Sequence, residues 1–97
     1  MTKDKIVLVS FFATWCGFCK AQDPIIEELR KNIGDKIEIY KINIDENGNK
    51  GFVKELKIDA TPTLFIMKND KVFKKYVGLT NKNELESAIR SALNANN

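Results

Sequence analysis

The sequence contains no histidine, and it has only two cysteines, two prolines and one tryptophan among 97 residues. Structural zinc takes four ligands, usually two cysteine pairs or a cysteine pair with histidines. One cysteine pair supplies half of that set, so we predict no metal site within a single chain, while a site shared between two chains stays open. The net charge is only +3 and the basic residues are scattered. Nucleic-acid-binding surfaces concentrate their basic residues, so we expect no nucleic-acid partner.

Long hydrophobic runs are also missing. The apolar run over residues 6–13 is interrupted by Ser10 and is far shorter than the about 20 residues of a membrane span. It continues directly into the cysteine pair with no small-residue cleavage site of the kind that ends a signal peptide. We therefore expect no membrane partner and a cytoplasmic protein, in which thiols are mostly reduced and structural disulfides are uncommon.

Apolar, β-branched runs alternate with segments of helical periodicity, and we predict one domain over residues 1–97. Strands are predicted at 5–12, 36–44, 63–68 and 71–77, the last two joined by a hairpin turn at Asn69-Asp70. Helices are predicted at 17–33, at 50–56, and from Thr80 or Asn81 onward. The βαβ half requires parallel strands with a right-handed crossover, and the hairpin is antiparallel. We therefore predict an α/β fold, a mixed four-stranded sheet with helices on both faces.

Helical spacing predicts which side chains the first helix buries. These are the apolar residues Ala21, Ile25, Ile26, Leu29 and Ile33. Pro24 lies within the same helix and is expected to kink or split it. In the last helix, Asn81 with Glu84 three residues later predicts a capping box.

Both cysteines lie in the stretch TWCGFCKAQDP, residues 14–24. Cys16 is predicted at the start of the first helix, where unpaired backbone N–H groups and the helix dipole favour a thiolate. Cys19 follows one helical turn later, faces inward, and is placed to attack a mixed disulfide. A CxxC pair near a βαβ unit is typical of thiol–disulfide exchange. The alternative is two small buried thiols with no redox role.

The segment VLVSFFATWCGFCKAQDPIIEEL resembles the active-site strand and helix of a thioredoxin. KINIDEN is similar to the thioredoxin strand that ends in Asp, and DATPTLFIMKNDKVFKKYVG to the family's cis-proline loop and hairpin. The likeness extends over residues 6–93 with all motifs in order. It implies a thioredoxin fold, β-α-β-α-β-β-α with strand order 2-1-3-4, and a reductase of protein disulfides that needs no cofactor of its own. Its partners would be disulfide-containing proteins and a thioredoxin reductase-type electron donor, and we expect a monomer.

The resemblance also implies roles for individual residues. Cys16 would be the attacking thiolate and Cys19 the resolving thiol. Pro62 would be a cis-proline facing them, and Thr61 would offer its backbone to an extended substrate segment. An ordinary strand-start proline is the alternative for Pro62.

Three further residues have a family role and a simpler alternative. Trp15 would form an apolar shelf beside the cysteines, or would simply pack in the core. Pro24 would bend the active-site helix. Gly78 would let substrate backbone approach, or would only be a turn glycine.

The sequence departs from the family pattern in three ways. Gly17-Phe18 replaces the usual Gly-Pro, so Phe18 has an N–H that can donate to a thiolate, and we expect a more acidic Cys16 and a more oxidising protein. Ser10 stands where thioredoxins carry a buried Asp, so Lys41 lacks the Asp that is its partner in the family. Lys41 would then be a proton or charge partner for Cys19, or a strand lysine whose side chain reaches solvent. Only 15 residues precede Cys16. We therefore expect no additional strand and helix before the first strand, and an exposed edge at the second strand.

Other functions remain open at this point. A glutathione-linked, glutaredoxin-like reductant fits the short chain, although Trp15 and the lack of a Gly-Gly pair after the hairpin argue against it. A disulfide isomerase is favoured by Phe18 and opposed by the missing export signal. A binding module of the same fold would use the exposed sheet edge and would keep its function in Cys16→Ser.

Overall fold

The structure, a computed structural model, describes residues 5–95. Over that range the order of elements is β-α-β-α-β-β-α, as predicted. The strands are β1 (Ile6–Phe12), β2 (Ile37–Asn43), β3 (Thr63–Lys68) and β4 (Lys71–Val77). The helices are α1 (Gly17–Ile33), α2 (Lys50–Glu55) and α3 (Lys82–Asn94).

The four strands form one mixed sheet of order β2-β1-β3-β4, which confirms the predicted topology. β1 pairs with β2 in parallel and with β3 antiparallel, and β3 pairs with β4 antiparallel. At the β3–β4 turn, Asn69 and Asp70 have positive φ angles of 52° and 69°. Two consecutive positive φ angles are typical of a two-residue hairpin turn whose backbone twist matches the right-handed twist of the flanking strands. β2 is an edge strand, as expected.

The sheet is covered on both faces. α1 and α3 pack on one face against β1 and β3, in a core whose fully buried members include Leu8, Leu29, Ile66 and Ile89. The other face carries a smaller cluster in which the rings of Phe11 and Phe65 meet edge to face at 5.8 Å. β1 is central in the sheet, and near its carboxyl end the neighbouring side chains of Ser10 and Phe11 are buried on opposite faces, which anchors the strand where it leads into α1.

α1 is one continuous helix of 17 residues, so Pro24 does not split it, and the expected kink stays a prediction. Pro24 lies on the exposed side of the helix. The prediction that Ala21 is buried is wrong, because Ala21 is exposed and Gln22 takes the inward position. The buried face reads Cys19, Gln22, Ile26, Leu29 and Ile33, a regular alternation of three- and four-residue steps.

The last helix begins as predicted. The Asn81 side chain caps α3 by accepting a hydrogen bond from the Glu84 amide at 2.8 Å. The helix buries Leu85, Ala88, Ile89 and Ala92 against the sheet and α1. Within residues 5–95, no helix is long and apolar enough to cross a membrane.

Candidate active site

The two cysteines lie where β1 gives way to α1. Cys16 is the N-cap of α1 in extended conformation, and Cys19 is the third residue of the helix. They form a disulfide, with their Cα atoms 5.3 Å apart. Both are buried, and the two side chains pack against Ala13. The predicted placement at a helix start therefore brings the pair together on a rigid frame.

The helix start supplies a donor to the Cys16 sulfur. The Cys19 amide donates to Cys16 Sγ at 3.1 Å, the bond that an N-cap side chain commonly accepts from the third residue of its helix. In this disulfide form no bond from the Phe18 amide to the sulfur occurs among the described residues, and its donation to a thiolate stays a prediction. The first turn of α1 contains no acidic residue. A thiolate at Cys16 would thus be favoured by a direct N–H donor and by the positive end of the helix dipole.

The loop before β3 faces the cysteines. The Thr61–Pro62 peptide is cis, and the Thr61 carbonyl oxygen lies 3.4 Å from Cys16 Sγ. Pro62 is buried, and its carbonyl oxygen accepts a 2.8 Å hydrogen bond from the Gly78 amide. Gly78 has a φ of +96°, a conformation that residues with a side chain rarely adopt. This hydrogen bond places the loop before β3, which contains Pro62, next to the segment after β4, which begins at Gly78.

Two aromatic side chains beside the cysteines are exposed. Trp15 is 70% exposed, which rules out the core-packing alternative, and Phe18 is 66% exposed. The Trp15 indole N–H donates to Asp45 Oδ2 at 2.8 Å. Asp45 lies just after β2 and is the Asp of the thioredoxin-like KINIDEN segment, although the sequence analysis gave it no role. Its position after the strand that pairs with β1 is the signal that could have placed it near Trp15.

Ser10 and Lys41 form a directly opposed pair in the β1–β2 ladder. Ser10 is buried, whereas Lys41 is exposed. In place of the family's buried Asp, two carboxylates on α1 are the partners of Lys41, whose Nζ lies 3.4 Å from Asp23 and 3.4 Å from Glu27. Among residues 5–95, no hydrogen bond or ion pair joins Lys41 to Cys19. The lysine therefore connects the edge strand to the exposed side of the active-site helix.

A disulfide-forming cysteine pair at a helix start, with a cis-proline loop across from it, defines a thiol–disulfide oxidoreductase site. The family model described as Thioredoxin matches residues 1–91. The chain belongs to the thioredoxin family, and it is an oxidoreductase that reduces protein disulfides through its cysteine pair.

Individual relatives agree with this assignment. The thioredoxin of Rickettsia felis is 39% identical over 93 residues, which are 96% of this chain and 87% of that protein. Thioredoxin Y of rice, a chloroplast protein, is 39% identical over 90 residues, 93% of this chain but only 52% of the longer relative. The X-ray structure of Fasciola hepatica thioredoxin superposes with a TM-score of 0.80 at 30% identity, covering 93% of this chain and 83% of the other.

Proposed function

We propose that the protein is a monomeric, cytoplasmic reductase of protein disulfides, folded as one domain, in which Cys16 attacks the substrate and Cys19 resolves the intermediate. The observation that carries the proposal is the hydrogen bond from the Cys19 amide to Cys16 Sγ at the start of α1. This bond favours negative charge on one sulfur of the pair, and the thiolate is the nucleophile in disulfide exchange. This asymmetry supports the proposal that Cys16 makes the first attack.

Reduction of one substrate disulfide takes two thiol–disulfide exchange steps. The Cys16 thiolate forms a bond to one substrate sulfur and breaks the substrate disulfide, whose other sulfur leaves as a thiolate and takes a proton from water. Cys19, once deprotonated, attacks Cys16 Sγ and releases the second substrate sulfur. The protein has then lost two electrons to the substrate and holds the Cys16–Cys19 disulfide. A dithiol donor returns two electrons, and we propose a thioredoxin reductase-type enzyme for this role in cell redox homeostasis.

Thr61, Pro62 and Gly78 form the proposed substrate contact. The Thr61 carbonyl is next to Cys16 Sγ, and the bond from the Gly78 amide to the Pro62 carbonyl holds the two loops side by side. A substrate segment in extended conformation can lie along such exposed backbone, as peptides do when they add to a strand. Glycine at position 78 keeps that surface free of a side chain. An ideal Cβ built there meets no atom within 4 Å, so the space is open.

The aromatic and charged neighbours have supporting roles in this proposal. Trp15, held by Asp45, and Phe18 give the apolar surface on which a substrate chain rests. Gly17 separates the cysteine from Phe18 without adding a side chain of its own. Ser10 and Lys41 pair across β1 and β2, two positions before the carboxyl ends of these strands. We propose that buried Ser10 can hold water near Cys19 but takes no proton at neutral pH.

The test is the reduction of insulin disulfides by dithiothreitol, followed by turbidity. The wild-type protein should accelerate the reaction and Cys16→Ser should not, since it lacks the attacking sulfur. Val72→Ala, an exposed position at the start of β4 and so at the end of that strand opposite Gly78, is a matched control for purification and folding. If Cys16→Ser accelerated the reaction as well as the control did, the assignment of the attack to Cys16 would fail.

A further inference from the structure

Gln22 is a buried amide on the face of α1 that also carries Cys19. It lies one helical turn after Cys19 and is only 1% exposed. Its side chain bonds twice to a single residue: Nε2 donates to the Thr80 carbonyl at 2.9 Å, and the Thr80 amide donates to Oε1 at 2.9 Å. Thr80 is itself buried. A donor and an acceptor engaged by one backbone position fix both the distance and the orientation between two segments.

Thr80 passes this restraint on to the loops of the active site. Its hydroxyl donates to the Gly78 carbonyl at 3.0 Å, and the Gly78 amide donates to the Pro62 carbonyl at 2.8 Å. The preceding residue, Thr61, places its carbonyl 3.4 Å from Cys16 Sγ. The contacts therefore close a ring that starts at Cys16, runs along α1 to Gln22, and returns through both loops.

We propose that Gln22 is a positioning residue for the bound substrate, which fixes the spacing between Cys16 and the loop backbone at Thr61 and Gly78. It acts through Thr80 and does not touch the reacting sulfur atoms. An apolar side chain of the same volume would fill the position but would leave the two loops free to shift relative to α1. The inference rests on the proposed substrate contact at Thr61, Pro62 and Gly78.

Gln22→Met tests the proposal, because methionine is unbranched and of similar length but makes neither hydrogen bond. The reduced protein is mixed with rising concentrations of insulin, and its single-turnover oxidation is followed by Trp15 fluorescence. The half-saturating concentration should rise about five- to tenfold, because part of the effect of the two lost neutral hydrogen bonds appears in substrate binding, while the limiting rate stays within about twofold. Oxidation by hydroxyethyl disulfide, which is too small to lie along both loops, should keep its rate constant.

Amide hydrogen exchange gives a readout that a general loss of stability would not reproduce. In the wild-type protein the Thr80 amide, bonded to Gln22, should exchange slowly. In Gln22→Met its exchange should accelerate, while that of the Glu84 amide, bonded to Asn81 Oδ1, stays unchanged. Gln22→Leu is the second variant if Gln22→Met does not fold.

Each contrary outcome has a distinct meaning. Slow Thr80 exchange in Gln22→Met would overturn the proposal, because the side chain would then not hold the loop. Fast exchange with an unchanged half-saturating concentration for insulin would overturn it too, and so would an equal loss with the small disulfide. Gly78→Ala tests the proposed substrate contact separately from the role of Gln22. If it weakens insulin binding while Gln22→Met does not, only the role of Gln22 falls, and if neither weakens it, the proposed substrate contact falls as well.

Discussion

A negative charge placed at position 18 should make the protein more reducing. Phe18 is the second residue of α1, it is 66% exposed, and the first turn of that helix contains no acidic residue. Phe18→Glu adds a carboxylate near the Cys16 sulfur without disturbing the core. The reduced protein is stabilised by a Cys16 thiolate, so repulsion of that thiolate destabilises the reduced form and lowers the reduction potential.

The size of the effect follows from distance and solvent. A carboxylate on this turn lies on the order of 8 Å from the sulfur, given the 10–12 Å width of a helix with its side chains. In surroundings close to bulk water the repulsion is about 0.5–1 kcal/mol. For a two-electron couple this corresponds to a fall of about 10–20 mV.

The assay equilibrates each variant with glutathione buffers and reads the transition by Trp15 fluorescence. Phe18→Gln is the matched control, since it differs from Phe18→Glu by the charge alone. The difference between the two variants should disappear in 1 M salt, where charges are screened over about 3 Å. Equal potentials at low salt would refute the reasoning, because they would show that no thiolate is stabilised at this helix start.

Three further predictions concern the frame around the site. Leu8→Ala, at a fully buried position of β1, should lower the free energy of unfolding in urea by about 2–5 kcal/mol, and an unchanged midpoint would contradict the assigned core. Lys41→Met should cause only a small loss of stability that vanishes in high salt, since its ion pairs with α1 are exposed; a large, salt-independent loss would mean that Lys41 has a buried partner. A hydrogen bond from Arg90 lowers the pKa of Glu86 in the folded protein below its ordinary value. The ionised carboxylate therefore stabilises the fold at a pH above the unfolded-state pKa, and this stabilisation is lost as the pH falls through the folded-state pKa. The stability difference between the wild-type protein and Glu86→Gln should therefore shrink on acidification, and a difference that grew in acid would contradict the sign.

The elements were predictable because their signals are local. β-branched runs gave β3 and β4 with their observed bounds, and the apolar period together with Gly34 gave α1 from residue 17 to residue 33. The strand order came from the family resemblance, since periodicity alone does not order strands within a sheet. The cis peptide at Pro62 likewise has no signature in spacing, and the thioredoxin likeness of DATPT suggested it before the structure showed it.

Polar side chains were the hardest to place from the sequence, because their partners are distant along the chain. An apolar pattern favours Ala21 over Gln22 for the buried face, although the steps from Leu29 and Ile26 back along α1 land on Gln22 and then on Cys19. A buried amide is tolerated there only because Thr80, 58 residues away, satisfies both of its ends. The carboxylate partners of Lys41 are likewise invisible in the sequence, because they lie on a helix that precedes it in the chain and no pattern in β2 indicates them.

The most direct test of the central claim is to find which cysteine carries the trapped substrate. Cys19→Ser is mixed in its reduced form with a disulfide-bonded peptide, and the adduct is located by mass spectrometry after digestion; Cys16→Ser is treated in parallel. The account predicts that Cys19→Ser accumulates a mixed disulfide at Cys16, while Cys16→Ser forms an adduct far more slowly. The reason is that, within residues 5–95, Cys16 and not Cys19 has a sulfur that accepts a hydrogen bond from a backbone amide at the start of α1. Equal or faster trapping at Cys19 would contradict the assignment of the attacking thiolate.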